Sequence, residues 1–389
     1  MLEALEGSAA IAKAVALCRP QVLSAYPITP QTHIVENLAS LVADGQLRAE
    51  MVSVESEFSA ASVVLGAAAC GSRAYTASSA QGILLMTEVL YNVAGLRVPV
   101  VLTCANRAIS APVSAWNDQQ DSMSVRDAGW IQLYCASNQE AVDTTIQAFR
   151  IAERCELPVM VCVDGYILTH TLEPIDIPTQ EQVDAFLPPY RFSRMLDPLR
   201  PISIGNLVTP EYYAEARYAH HQALLRAKDE IEAADRDWAK VCGRRSGGLL
   251  SVEGPDDARI GILTIGSVLG TLADAREEYP DPPAKLLKLR SMRPFPADAI
   301  RHACRGLSDL VVLERALSMG SGGIIGAEVR SALFGEPNPP RVHNFAAGLG
   351  GRDMPLEIYP RLLKAAEAPE PTRFAIMDVE LQKLPETER

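Results

Sequence analysis

The sequence predicts an α/β protein built as two units, each a parallel sheet covered by helices. Three observations predict it. Short apolar runs alternate with longer helix-like stretches through the first half, and the same alternation restarts at Arg259 after an interruption. The strand candidates are apolar on both faces, as strands of a sheet covered on each side must be. The length of 389 residues suits two domains of ordinary size. We place the first unit at 1–245 and the second at 256–389.

In chain order, the β-rich runs fall at 22–28, 51–55, 73–78, 98–105, 130–136 and 157–164. Helices are expected between them at 31–43, 57–70, 81–94 and 138–154. After Asp164 the pattern stops. Residues 171–210 are rich in Pro and read as an extended excursion that wraps a neighbour or covers a subunit, since a long aperiodic segment is unusual inside a compact domain. A polar helix then runs from about Pro210 to Ala239 and ends in GRRSGG (243–248). The second unit has strand candidates at 260–267, 284–291, 309–316 and 342–348, with helices expected at 269–278, 296–305, 326–333 and 355–366.

Composition excludes several classes of function. Charged residues at 22% and hydrophobic residues at 48% are globular values and exclude wholesale disorder. Asp and Glu number 48 against 36 Lys and Arg, a net charge of −12, which argues against binding nucleic acid or an anionic membrane. No apolar run is long enough to span a membrane, and the acidic start Met1-Leu2-Glu3 does not read as a signal peptide, so a cytoplasmic location is expected. The eight cysteines are scattered and none lies in a CxxC, so neither a disulfide framework nor an iron–sulfur cluster is expected on this chain. The six histidines show no metal-ligand spacing, and no metal site is expected; His220-His221 reads as solvated surface. GSGGIIG (320–326) is one residue longer than the dinucleotide fingerprint and, like GLGG (348–351), reads as a tight turn rather than a nicotinamide site.

Four segments lie where an α/β fold puts its chemistry, just beyond strand carboxyl ends. They are AYPITPQT (25–32), VESEFSAA (54–61), TASSAQGILLM (76–86) and ANRAISAPVSAWNDQQDSM (105–123). Pro27 and Pro30 stiffen the loop that carries Thr29. Ser56 is placed as a helix N-cap and Glu57 falls in the first turn, where the helix dipole already favours a carboxylate, so capping alone accounts for Glu57 from periodicity. Arg107 follows a central strand, and its structural partner would be Asp118 or Asp121.

Taken together and in order, these strings resemble the α subunit of multisubunit 2-oxoacid:ferredoxin oxidoreductases, above all those acting on pyruvate. DSMSVRDAGWIQLY (121–134), LPVMVCVDGYILTH (157–170), LRSMRPFPADAI (289–300) and AAGLGGRDM (346–354) add to the likeness, which runs from about Gly7 to Pro360 and is weakest over 190–255. The resemblance implies a thiamine-diphosphate pyrimidine-binding-type domain followed by a transketolase C-terminal-type domain. It implies an enzyme that decarboxylates pyruvate to acetyl-CoA and CO2 and reduces ferredoxin, or runs in reverse to fix CO2. The cofactor would be shared with a β subunit that holds its diphosphate and Mg2+. The 4Fe-4S clusters would belong to β and δ subunits, a γ subunit would complete the set, and CoA would be co-substrate. The expected particle is a dimer of heteromers.

By the same resemblance, Glu57 is both the catalytic and the cofactor-binding residue. It matches the glutamate that hydrogen-bonds N1′ of the aminopyrimidine and favours the imino tautomer that deprotonates the thiazolium. Arg107 matches the arginine that pairs with the substrate carboxylate, and Thr29 the threonine that hydrogen-bonds substrate oxygens. Trp116, Asn117 and Gln119 stand where the family often has histidines, beside the substrate pocket. Branched-chain 2-oxoacids, 2-oxoglutarate and oxalate are the alternative substrates. 2-Oxoglutarate and oxalate need a second cation that the sequence does not identify. A non-catalytic assembly subunit is the rival of a different class.

Overall fold

The computed structural model describes residues 2–388. The alternating half of the sequence forms a seven-stranded sheet. Its elements follow a short strand β1 (Leu2–Glu6) and helix α1 (Gly7–Leu17). They are β2 (Val22–Ala25), α2 (Thr32–Ala43), β3 (Glu50–Ser53), α3 (Glu57–Ala69), β4 (Ala74–Ser78), α4 (Ala80–Leu85), α5 (Thr87–Leu96), β5 (Val100–Asn106), α6 (Gln120–Ser124), β6 (Ile131–Tyr134), α7 (Asn138–Cys155) and β7 (Val159–Asp164). β8 (Leu172–Asp176), α8 (Gln180–Phe186) and α9 (Pro210–Cys242) complete this part. The second part contains β9 (Leu250–Glu253), β10 (Ile260–Thr264), α10 (Val268–Glu278), β11 (Ala284–Leu289), β12 (Ser291–Arg293), α11 (Ala297–Ala303), β13 (Asp309–Glu314), α12 (Ile324–Leu333), β14 (Arg341–Ala346), α13 (Ile358–Ala366) and β15 (Ala375–Ile376).

The first sheet runs β12-β6-β7-β5-β4-β2-β3 and is parallel except at β12. Every residue of β5 and β7 is buried, which explains why both read as unbroken apolar runs. From β2 the chain goes outward to β3 and then returns to place β4 on the other side of β2. That reversal opens a crevice at the strand carboxyl ends between β2 and β4. The second sheet, β15-β14-β13-β10-β11-β9, is also parallel apart from β9.

Several expectations need correction. The stretch 81–94 is two helices, because the chain leaves helical geometry at Met86. The excursion over 171–210 is only partly extended: β8 pairs antiparallel with β1, and α8 is opened by a capping box of Thr179 and Gln182. α1 escaped the sequence reading because it is Ala-rich and apolar over most of its circumference, with no polar stripe to mark its period. The run 284–291 is β11 plus the start of β12, which crosses to the first sheet and pairs with β6. His220 is buried, not solvated, with Nε2 3.2 Å from the Gly129 carbonyl oxygen.

α9 looks polar but carries a seam, Ala223, Ala227, Ile231, Ala234 and Trp238, at the three-and-four spacing that keeps one helix face inward. Trp238 packs edge-on against Phe186 at 5.0 Å and donates its indole N–H to Asp143. Burial pushes the thiols of Cys18, Cys104 and Cys135 far above their ordinary pKa, so they are inert core groups. No helix among the described residues is long and apolar enough to cross a membrane.

Arg290 joins the two sheets. It is fully buried between β11 and β12 and donates to the Gly248 carbonyl, Thr144 Oγ1 and Gln147 Oε1 at 3.0, 3.0 and 2.9 Å. Its Nε lies 3.5 Å from Glu140, which also holds Lys288. Removing one partner of such a buried ionic cluster typically costs about 3–5 kcal/mol, whereas the more exposed Arg293–Glu328 pair belongs to the class worth about 0–1 kcal/mol. Arg290→Met is therefore expected to lower the urea midpoint strongly and Arg293→Met hardly at all. Equal midpoints for the two variants would remove Arg290 from this role.

Candidate functional site

The loops after β2, β3, β4 and β5 meet at the crevice. Ser56 is extended and caps α3 by accepting the Ser59 N–H, which sets Glu57 at the first helical position. Glu57 is only 7% exposed, and among the described residues no hydrogen bond or ion pair engages its carboxylate. A buried carboxylate in that state is costly to keep and points to an absent partner. The helix cap is thus supplied by Ser56, not by the Glu57 side chain.

Glu57 faces the β4–α4 join. A Cβ at Gly82 would lie 2.6 Å from Glu57 Oε1 and 2.3 Å from Ser78 Oγ, so only glycine lets these two groups share that face. The hydroxyls of Ser78 and Ser79 and the Gln81 amide nitrogen are buried without hydrogen-bond partners. One small region therefore gathers an unpaired carboxylate and several unsatisfied donors. An aminopyrimidine, which offers ring nitrogens and an amine around a flat apolar face, fits such a set.

Arg107 stands at the end of β5. Its Nε donates to the Ser114 carbonyl at 2.8 Å and its Nη1 to the Thr29 carbonyl at 2.9 Å. Neither Asp118 nor Asp121 pairs with the guanidinium. Asp121 accepts the Arg107 backbone N–H instead, at 3.0 Å. Among the described residues the guanidinium has no carboxylate partner, so its charge remains available to an anion. The structure thus brings Arg107 and the Thr29 loop into direct contact, with Thr29 exposed and Glu57 on the adjoining join.

Of the residues that hold this arrangement, sequence reasoning named Asp118 and Asp121 only as partners for Arg107 and gave no role to Gln31, Asp164 or Arg315. Gln31 is buried and donates to the Ala77 carbonyl at 2.8 Å, pinning the Thr29 loop to β4. Asp121 is buried and accepts from the Ala80 N–H, the Asn106 amide and the Ser122 N–H, besides Arg107. Burial raises its pKa, against the pull of these donors. Asp164, at the end of β7, accepts from Gln119 and from both the N–H and hydroxyl of Ser267, which belongs to the second part. Arg315 lies 3.6 Å from Asp164 and is buried. Asp118 is pushed up to about 6, mainly by burial.

Trp116 is 60% exposed, while Asn117 is buried with both amide atoms unsatisfied and Gln119 is taken up by Asp164. Trp116 and Asn117 border a cleft of about 230 Å³ between the two parts, also lined by Tyr166, Ser267 and Arg315. The Gly-rich turn at 320–326 is closed to a dinucleotide. Glu314 occupies the N-terminus of α12, accepting the N–H groups of Ile324, Ile325 and Gly326, so the protein's own carboxylate sits where a diphosphate would.

The chain is similar to known proteins along most of its length. Residues 13–236 match the family described as pyruvate flavodoxin/ferredoxin oxidoreductase, thiamine diP-bdg, and residues 258–358 match pyruvate:ferredoxin oxidoreductase core domain II. Pyruvate synthase subunit PorA of Methanosarcina barkeri is 45% identical over 92% of this chain and 91% of its own length. The protein of the same name from Methanothermobacter thermautotrophicus is 45% identical over 95% and 96%. Ketoisovalerate oxidoreductase subunit VorA of Pyrococcus abyssi is 40% identical over 90% and 89%. Among solved structures, 2-oxoglutarate:ferredoxin oxidoreductase from Magnetococcus marinus, with 2-oxoglutarate, coenzyme A and succinyl-CoA bound, has the same fold at a TM-score of 0.70. That likeness, at 19% identity, covers 94% of this chain and 65% of that one. The chain belongs to the pyruvate flavodoxin/ferredoxin oxidoreductase family.

Proposed function

We propose that this chain is the α subunit of a thiamine-diphosphate-dependent 2-oxoacid:ferredoxin oxidoreductase acting on pyruvate. The observation that carries the reading is the buried, unpartnered Glu57 carboxylate, together with an un-neutralised Arg107 that is tied to the Thr29 loop. Relatives named pyruvate synthase support pyruvate, and those named ketoisovalerate oxidoreductase make branched-chain 2-oxoacids the second reading. When bound, thiamine diphosphate supplies a carbon nucleophile for the 2-oxoacid carbonyl.

Each residue then has a defined task. Glu57 holds a proton at a ring nitrogen of the pyrimidine, and the shortage of surrounding water strengthens that contact. Arg107 presents a planar fork to the substrate carboxylate without losing charge near neutral pH. The Thr29 hydroxyl, on the exposed loop that Gln31 anchors, donates to a substrate oxygen. We assign 1–245 and 256–389 as the two domains. Mg2+ and 4Fe-4S clusters are assigned to partner β and δ subunits, with a γ subunit completing a dimer of heteromers in the cytoplasm. CoA is the acyl acceptor and ferredoxin the electron acceptor.

An uncovered apolar face supports a partner subunit. Tyr26 and Phe58 are exposed on the loop and helix that carry Thr29 and Glu57, and Leu84, Leu85 and Tyr91 are exposed on α4 and α5. A patch of that kind marks an interaction surface. The chain alone is expected to associate in sedimentation velocity, and a well-behaved monomer at every concentration would count heavily against burial of this face by a partner.

Glu57→Gln keeps shape and hydrogen bonding but is a far weaker proton acceptor. In the assembled enzyme, turnover is expected to fall by about 10²–10⁴, and deuterium exchange at C2 of the bound cofactor should slow with it. Unchanged exchange would return Glu57 to a structural role.

Arg107→Ala removes a charge-assisted contact of a class worth about 2–5 kcal/mol. The loss should fall on kcat/KM for pyruvate and leave C2 exchange nearly intact. An undiminished kcat/KM would send Arg107 back to loop anchoring.

A further inference from the structure

We propose that Glu6, His33 and His170 form a binding site for one divalent transition-metal ion of the zinc type, separate from the 2-oxoacid site. The ligands come from three elements: the end of β1, the first turn of α2 and the turn that follows β7. Each offers one ligand atom, and all three atoms lie within 4.8 Å of one another. Sequence spacing could not reveal the group, because only folding of the N-terminal ribbon over α2 brings Glu6 to the histidines.

The geometry suits coordination. His33 Nδ1 is 2.7 Å from Glu6 Oε1, and the His33 and His170 ring centres are 4.6 Å apart with planes inclined by 33°. An ion at the usual Zn–N length of about 2.0–2.1 Å sits roughly 3.2 Å from each ring centre, so rings at this separation subtend about 90° at the ion. Only a small opening of the Glu6–His33 contact is then required. His170 Nδ1 lies 2.8 Å from Thr169 Oγ1, itself fixed by the Tyr166 N–H. With Nδ1–H donating to that oxygen, Nε2 is free to ligate, which is how metal-binding histidines are normally oriented.

The donor set selects the class of ion. Two imidazoles and one carboxylate suit zinc, iron(II), cobalt or nickel, whereas Mg2+ prefers oxygen alone. The side chains of His33 and Glu6 are 45% and 32% exposed, leaving a route for entry and a coordination position for water. The bound ion would clamp both supports of the Thr29 loop. His33 opens the helix that follows this loop, and Gly165, before the His170 turn, packs so closely on Pro30 that a Cβ there would lie 2.5 Å from Pro30 Cγ.

The test uses the assembled complex, treated with chelator, dialysed and given Zn2+ alone. Zinc content per chain is compared between the parent, the His33→Gln/His170→Gln double variant and Glu6→Gln, with X-ray absorption at the zinc edge, where the clusters' iron does not interfere. One zinc per chain is expected, in a shell of nitrogen and oxygen with imidazole scattering. The double variant should lose at least nine-tenths of it, and Glu6→Gln should weaken binding by about tenfold or more. Glu6→Gln, at a half-exposed position, keeps the comparison valid should the double variant not assemble. No zinc in the parent, equal zinc in parent and Glu6→Gln, or a shell containing sulfur would each overturn the site.

Discussion

The crevice depends on one buried carboxylate. Asp121 binds the N–H at the start of α4, the N–H and amide at the end of β5, and its own helix start, all at about hydrogen-bond distance. It thereby fixes three segments that converge on the site. Ala80 adopts a left-handed conformation (φ 44°) that a residue with a Cβ avoids, and its N–H is one of the donors held by Asp121. Burial opposes the charge on Asp121, and four donors offset much of that penalty. Loss of this single side chain would leave the Ala80, Arg107 and Ser122 N–H groups without their acceptor, while the Asn106 amide would keep Ser122 Oγ.

A second carboxylate plays the corresponding role between the two parts. Asp164 ends β7 and grips Ser267 at the start of α10 through both its N–H and its hydroxyl, with Gln119 and Arg315 on the remaining sides. The loop bearing Trp116 and Asn117 is thus braced by the second part, which otherwise contributes none of the residues assigned to chemistry. Glu314 follows the same logic within the second sheet, where it satisfies the N-terminus of α12 and closes it to outside anions. Asp164 and Glu314 at strand ends and Asp121 in α6 are spent on backbone donors, whereas Glu57 at the start of α3 is left unpaired. That contrast, more than any single distance, supports the proposal that Glu57 is kept for a ligand.

Much of the fold was legible in the sequence. Parallel strands buried on both faces must be apolar throughout, so runs such as Val100–Asn106 and Val159–Asp164 announced themselves, and the helices between them followed from connection geometry. The elements that escaped are those whose stability is tertiary. β1 and β8 are short and pair only with each other, α1 has no polar face, and β12 is three residues that pair only with β6 of the other sheet. His220 went astray for the same reason: on a polar helix only the packing against Gly129 tells it from its solvated neighbour.

For the site, the order of motifs determined the family and named Glu57, Arg107 and Thr29, because residue types at strand ends are written in the sequence. What only the tertiary structure decided is who pairs with whom. It gave Asp121 to backbone donors instead of the Arg107 guanidinium, joined Arg107 to the Thr29 loop, and left Glu57 without a partner. It also gathered Glu6, His33 and His170 from three separate elements. Strand periodicity is a local property of the chain, whereas the pairing of charges depends on which loops the sheet order brings to one end, and local pattern carries no record of that order.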